Sequence, residues 1–168
     1  MPHSSILKAL SFASVAHTGQ RRKGDQNSPY INHLIEVAYL LEKFANEDDP
    51  LVLQAAILHD VLEDTPSTEK ILRNNFDPQV VSYVLELTDD KSLPLKERRA
   101  KQIEHVSQAS MAIKRIKLAD HCSNIASIPP AWDRQRVVDY LSWSSAVAEQ
   151  CYGASNGLAD EYIIRLAE

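Results

Sequence analysis

Four polar residues close an otherwise apolar stretch of the chain, in the hexapeptide His59-Asp60-Val61-Leu62-Glu63-Asp64. If residues 51–64 form one helix at about 100° per residue, these four side chains share an arc of roughly 140°. The same arc continues backwards as Val52, Leu53 and Ala56, so the helix is apolar all round before this point and should be buried. Three carboxylates and an imidazole inside a fold require a cation or shifted protonation states. The pattern predicts a metal site at the end of a core helix.

Two further side chains extend this set. Divalent transition metals bind imidazole nitrogens and carboxylate oxygens, commonly with about four to six ligands including water. His33 follows a proline-containing turn at the start of a helix, and Asp120 lies at the polar break of another apolar helix. Each alone is typical of a structural histidine or a surface acid. Together with His59 and Asp60 they form a His, His-Asp, Asp set drawn from three helices.

The segments that position this set are predicted to be helices separated by proline, glycine and aspartate breaks. Asp49-Pro50 and Asp77-Pro78 each predict an N-cap followed by proline at the first helical position. No segment is typical of a strand, so we expect a compact all-α fold. The predicted helices run from Ser4 or Ser5 to Gly19, over about 32–45, 51–64, 67–75, 78–87, 94–106, 110–127 and 133–152, and from Asn156 onwards.

Length and composition narrow the functional classes. The 168 residues predict a single domain over 1–168, large enough to bury a core without cross-links. A formal charge of −5 disfavours a nucleic-acid binder, although the triplet Arg21-Arg22-Lys23 offers a local site for a small anion. Cys122 and Cys151 fit neither a zinc finger nor a disulfide framework, which indicates a reducing cytoplasm. No signal peptide, membrane span, glycine-rich phosphate loop or G-x-S-x-G turn is evident.

Four motifs together resemble a known family in their order and spacing. They are Ser28-Pro29-Tyr30-Ile31-Asn32-His33, His59-Asp60-Val61-Leu62-Glu63-Asp64, Thr88-Asp89-Asp90-Lys91, and Lys117-Leu118-Ala119-Asp120 with Asn124. They resemble the hydrolase domain of RelA/SpoT-type alarmone enzymes, in the HD superfamily of metal-dependent phosphohydrolases. The resemblance spans about residues 5–152 and implies a multi-helix HD-domain fold. The chain looks like a stand-alone small alarmone hydrolase similar to the metazoan-type members.

The resemblance also implies a reaction and its residues. One Mn²⁺ would be bound by His33, His59, Asp60 and Asp120. Glu63 and Asp64 would be the catalytic acid pair that orients water and moves a proton to the departing 3′-oxygen. Substrate contacts are implied for Arg22, Lys23, Asn124, Arg136 and Tyr140. The implied reaction converts guanosine 3′,5′-bis(diphosphate), ppGpp, to GDP and pyrophosphate, and the pentaphosphate pppGpp to GTP and pyrophosphate.

One departure from the family pattern leaves other functions open. The family usually has lysine after the Lys-Leu-Ala-Asp motif, where this chain has His121, and a neutral imidazole weakens any ionic role there. The same site could act on another nucleotide, such as the 2′-phosphate of NADPH, or serve as a catalytically silent nucleotide sensor. A purely structural helical protein would leave the buried acids unexplained. The expected partner is a small guanosine nucleotide, with neither nucleic acid nor membrane, and no oligomeric state follows from the sequence.

Overall fold

The computed structural model describes residues 2–24 and 27–168, and within them the all-α prediction is confirmed. The β-structure among the described residues is an isolated antiparallel bridge between Arg21 and Pro29. The helices are α1 (Pro2–Ala16), α2 (Ile31–Ala45), α3 (Pro50–Leu58), α4 (Val61–Asp64), α5 (Glu69–Asn75), α6 (Pro78–Leu87), α7 (Leu95–Gln108), α8 (Met111–Ile125), α9 (Arg134–Glu149) and α10 (Asn156–Leu166), with a 3₁₀ turn at Tyr152–Ala154.

The predicted N-caps position the helix starts. The side chain of Asp49 accepts from the backbone N–H of Leu51 at 2.8 Å, and that of Asp77 accepts from Gln79 at 2.8 Å. Each is followed by proline at the first helical position. Asp133 also caps α9 as predicted. A cap of this kind stabilises a helix by about 1 kcal/mol, which is enough to decide where a short helix begins.

Helix α3 lies at the centre of the core. Every residue from Val52 to Leu58 is buried, and full burial of a Leu or Ile side chain contributes roughly 1.5–3 kcal/mol. The helix packs against α1, α2, α6 and α8, and α8 in turn packs against α2, α9 and α10. This packing brings α2, the end of α3 and α8 together. In the part of the chain that the structure describes, no helix is long and apolar enough to span a bilayer.

The prediction of one continuous helix over 51–64 is wrong. Helix α3 ends at Leu58, a turn contains His59 and Asp60, and α4 follows as a single helical turn. The imidazole Nδ1 of His59 donates to the carbonyl of Ala56 at 2.6 Å. That carbonyl is the acceptor that the N–H of Asp60 would use in a continuous α-helix. The break therefore falls at the polar pair that the sequence analysis singled out.

The other differences concern helix ends. Helix α1 begins at Pro2, so Ser4 and Ser5 lie inside it and do not cap it, since proline itself is well accommodated in a first turn. Thr68 caps α5 through the N–H of Ile71. Gly19, at φ +82°, lies just after α1 and turns the chain away as expected.

Candidate active site

The four predicted metal-binding side chains meet at one point. His33 comes from α2, His59 and Asp60 from the turn after α3, and Asp120 from α8. The Nε2 atom of His33 lies 3.2 Å from Asp120 Oδ1 and 3.7 Å from Asp60 Oδ2. The Nε2 atom of His59 lies 3.1 Å from Asp60 Oδ2 and 3.6 Å from Asp120 Oδ1. Each imidazole therefore faces both carboxylates.

Hydrogen bonds behind the two imidazoles fix which nitrogen faces the cluster. The hydroxyl of Ser123 donates to Glu36 Oε2 at 2.6 Å, so it accepts from His33 Nδ1, 2.8 Å away. The Nδ1 atom of His59 faces a carbonyl and must donate to it. In its neutral form each ring therefore directs an Nε2 lone pair into the cluster, which is the tautomer that binds a metal. Among the described residues, His59 Nε2 is a buried atom without a hydrogen-bond partner.

The cluster carries a strongly negative potential. Burial alone would lower the pKa of His59, but the carboxylates of Asp60 and Asp120 outweigh it and hold that pKa well above its usual value. Burial alone would raise the pKa of both carboxyls, but the facing imidazoles hold these pKa values below the ordinary range. Burial and Asp60, which accepts from the Tyr30 hydroxyl at 2.6 Å, raise the pKa of Tyr30. The site favours a positive charge at its centre.

The donor set and its spacing fit a divalent cation. Adjacent ligand atoms of a six-coordinate ion bound at about 2.1 Å lie roughly 3 Å apart. The nitrogen-to-oxygen distances in the cluster run from 3.1 to 3.7 Å. The ligand atoms of His33, His59 and Asp60 all lie within 4.8 Å of one another. Mixed imidazole and carboxylate ligands suit a first-row divalent ion.

The predicted acid pair lies directly beside this cluster, in α4. The side chains of Glu63 and Asp64 are 19% and 24% exposed, and Asp64 also lines the cleft described below. Glu63 Oε2 accepts from the backbone N–H of Asp89 at 3.2 Å. Asp64 accepts from Gln20 Nε2 at 3.2 Å and from the ammonium group of Lys91. Burial and the charge of Asp60 raise the pKa of Glu63.

A cleft of about 340 Å³ opens above the cluster. Its walls include the basic loop (residues 21–24), Tyr30, Asp64, Asn124, residues 127–129, Trp132 and Tyr140. Arg22 Nη1 donates to Asn124 Oδ1 at 2.9 Å, and Asn124 Nδ2 donates to Asp120 Oδ1 at 2.6 Å. This relay links the cleft to the cluster of imidazoles and carboxylates. The structure therefore brings Arg22, Lys23, Asn124 and Tyr140 to one cleft, and their role in substrate binding stays a prediction.

Arg136 lies in a neighbouring cleft of about 580 Å³ between α7 and α9. Its guanidinium stacks over the ring of Trp132 at 4.2 Å from the centroid. Arg98 and Arg99 line the same cleft, and Trp132 and Tyr140 line both clefts. The two clefts are thus adjacent, and Trp132 and Tyr140 lie between Arg136 and the other residues predicted to contact the substrate.

His121 does not line either cleft. It is buried between α8 and α9, where its Nδ1 atom lies 2.8 Å from the hydroxyl of Ser144. Burial lowers its pKa to about 4, so the ring is neutral near pH 7. Its ring centroid lies 5.0 Å from that of Trp143. The residue that replaces the family's lysine therefore packs behind the site.

Sequence reasoning missed three residues of the site. Gln20 and Lys91 contact Asp64, and Trp132 separates the two clefts. Lys91 belongs to the motif Thr88-Asp89-Asp90-Lys91, one of the four on which the family resemblance rests, but the sequence assigned no role to any residue of this motif. Gln20 and Trp132 lie in loops and had no sequence signal beyond their proximity to the basic triplet and to Arg136.

Comparison with known proteins agrees with this geometry. The HD domain family model matches residues 9–141. The chain is 41% identical over 155 residues to the guanosine-3′,5′-bis(diphosphate) 3′-pyrophosphohydrolase MESH1 of Xenopus tropicalis, covering 90% of this chain and 87% of that one. It is 39% identical over 161 residues to human MESH1, covering 94% and 90%. A solved structure, described as a metazoan orthologue of SpoT that hydrolyses ppGpp and plays a role in starvation responses, superposes with a TM-score of 0.91 at 36% identity, covering 97% and 94%.

Proposed function

The chain belongs to the HD domain family, and we propose that it is a Mn²⁺-dependent ppGpp 3′-pyrophosphohydrolase. It would hydrolyse ppGpp to GDP and pyrophosphate, as the names of its MESH1 relatives suggest. The same cleavage would convert pppGpp to GTP and pyrophosphate. The observation that carries the proposal is the acid pair Glu63-Asp64 one turn after a cluster of two imidazoles and two carboxylates, with Asp64 in the wall of a basic cleft.

The metal would be held by His33, His59, Asp60 and Asp120. A divalent ion supplies Lewis-acid polarisation of a phosphate oxygen and lowers the pKa of water. The buried Nε2 of His59, which has no hydrogen-bond partner in the part of the chain described, supports this assignment. Two imidazoles and two carboxylates are compatible with Mn²⁺ as with other first-row divalent ions, and the choice of Mn²⁺ rests on the family resemblance.

The acid pair would perform the proton transfers. Hydrolysis breaks the bond between the 3′-oxygen and the α-phosphorus, adds the water oxygen to that phosphorus and delivers a proton to the 3′-oxygen. Glu63 and Asp64 follow Asp60 within about one helical turn and are partly exposed, so they would orient the water and carry the proton.

The cleft would bind the nucleotide. The Arg22 guanidinium presents a flat cationic face 5.9 Å from the Tyr30 ring centroid, which suits stacking on guanine. Lys23, Asn124 and Tyr140 also line the cleft. Lys23 would neutralise phosphate charge, and Asn124 and Tyr140 would contact the ribose and phosphate portion. Arg136, in the adjacent cleft, is placed for a more distant phosphate.

The test is product analysis with competing substrates. Purified protein is incubated with ppGpp, pppGpp or NADPH, in Mn²⁺ and then in excess chelator, and the products are separated by ion-exchange chromatography. Mn²⁺-dependent release of GDP and pyrophosphate from ppGpp is the expected result. Preferential release of phosphate from NADPH would mean that NADPH, and not ppGpp, is the substrate. Tight ppGpp binding without any product would instead support the catalytically silent sensor.

A further inference from the structure

The loop between α6 and α7 (residues 88–93, the 88–93 loop) places a positive charge on the acid pair. The Lys91 ammonium donates to Asp64 Oδ1 and to the backbone carbonyl of Glu63, the latter at 3.0 Å. It also lies 3.6 Å from Glu63 Oε1. The N–H of Asp89 donates to the other oxygen of the same carboxylate at 3.2 Å. One loop thus contacts both members of the pair.

Hydrogen bonds within the 88–93 loop hold it in this conformation. Asp90 Oδ1 accepts from the N–H of Ser92 at 2.9 Å and from its hydroxyl at 2.6 Å. The Thr88 hydroxyl donates to the carbonyl of Val84 at 2.7 Å, which ties the loop to the end of α6. Asp89 accepts from the side chain of Gln102 in α7. The loop is therefore preorganised to present Lys91.

A second donor contacts the other carboxylate oxygen of Asp64. Gln20 Nε2 donates to Asp64 Oδ2 at 3.2 Å, and the amide oxygen of Gln20 accepts from His17 Nδ1 at 2.6 Å. The His17 ring stacks on Tyr30 with centroids 5.0 Å apart. Each oxygen of Asp64 thus has one protein donor, and the remaining lone pairs of the carboxylate are left for water or substrate.

We propose that Lys91 is a positioning residue, which fixes the carboxylates of Asp64 and Glu63 beside the metal-binding cluster. This inference rests on the proposed hydrolase function. The four metal-binding side chains are not among the contacts of Lys91, so its role is separate from metal binding. Its side chain is 48% exposed, and ion pairs this exposed stabilise a fold little. Its loss should therefore show in turnover and leave folding and metal content largely intact.

The test compares Lys91→Met, Lys91→Arg and the matched control Lys96→Met, which removes an exposed lysine at the start of α7. Steady-state kinetics on ppGpp, bound Mn²⁺ and the thermal midpoint are measured for each variant and for the wild type. Because small displacements of catalytic groups cost one to two orders of magnitude, Lys91→Met should lower kcat roughly 10- to 100-fold, with KM changed by less than about threefold. Lys91→Arg should recover part of kcat, and Lys96→Met should match the wild type.

The background variant Asp64→Asn separates positioning from direct phosphate binding. If Lys91 acts through the acid pair, adding Lys91→Met to Asp64→Asn should lower kcat far less than it does in the wild type. Unchanged kcat in Lys91→Met, a KM increase at constant kcat, or full additivity in the double variant would overturn the inference while leaving the proposed function intact. A wild type with normal Mn²⁺ content and no ppGpp turnover would overturn the proposed function, and this inference with it.

Discussion

Replacing Gly24 with alanine should displace the basic loop from the nucleotide cleft. Gly24 packs directly against the backbone on the opposite wall. A Cβ added there would lie 1.6 Å from the carbonyl oxygen of Ser127 and 2.4 Å from its carbonyl carbon. Real Cβ atoms essentially never approach other atoms more closely than 3.0 Å, so the two walls must separate by about 1.4 Å or more. Because the obstacle is backbone, no side-chain rotation relieves it.

The size of the kinetic effect follows from this displacement. A shift of about 1 Å in a positioning element can cost roughly 100-fold in rate. Arg22 would lose its 2.9 Å hydrogen bond to Asn124 as the loop moves. We expect kcat/KM for ppGpp to fall roughly 10- to 100-fold, mainly through KM, because the loop contributes to the cleft and to none of the four metal-binding side chains.

Kinetics of pyrophosphate release and the content of bound Mn²⁺ provide the assay. The matched control is Gly153→Ala, where an added Cβ meets no atom of the described residues within 4 Å. The control should retain wild-type kcat/KM, and both variants should retain the metal. A kcat/KM for Gly24→Ala within twofold of the wild type would refute the assignment of this loop to the nucleotide site.

Three further outcomes follow from the structure. Ser123→Ala removes the hydroxyl that orients His33 and should weaken Mn²⁺ binding roughly 10- to 100-fold. Metal titration with a fluorescent competitor measures this affinity, and an unchanged value would contradict the orienting role. Chelation should lower the thermal midpoint, because Mn²⁺ present at about 100 times its Kd contributes about 2.7 kcal/mol, and an unchanged midpoint would argue against a resident ion. Gly157→Ala places a Cβ 2.2 Å from the carbonyl oxygen of Phe44 and should cost roughly 1–3 kcal/mol of unfolding free energy in a urea titration, whereas equal stability would mean that α10 and α2 can separate freely.

The sequence predicted a helix start correctly where the residues that determine it are close together along the chain. Asp49 and Asp77 each cap the helix that follows, and the cap, the proline and the apolar spacing all lie within a few residues of one another. The central helix was predicted as continuous because hydrophobic periodicity does not register a side chain that competes for a backbone carbonyl. The bond from His59 to Ala56 is such a competitor, and it breaks the helix at the metal-binding pair.

Residue type and order along the chain predicted part of the candidate site. The contacts between distant segments could not be predicted in this way. His33 and Asp120 were recognised by their chemistry, and packing of α2 and α8 against α3 supplies the convergence. Lys91 and Gln20 reach Asp64 across separations of 27 and 44 residues, and no periodic pattern records such contacts. The setting of His121 likewise depends on Ser144, 23 residues away in the next helix.

In the proposed reaction, the acid pair Glu63-Asp64 performs hydrolysis beside a metal ion that other residues bind. The most direct test measures bound Mn²⁺ and pyrophosphate release from ppGpp in the same preparations of the wild type and of the double variant Glu63→Ala, Asp64→Ala. We expect both proteins to bind about one Mn²⁺ per chain, as a single four-ligand site implies, and only the wild type to release pyrophosphate. Undiminished release by the double variant, with its metal in place, would contradict the claim.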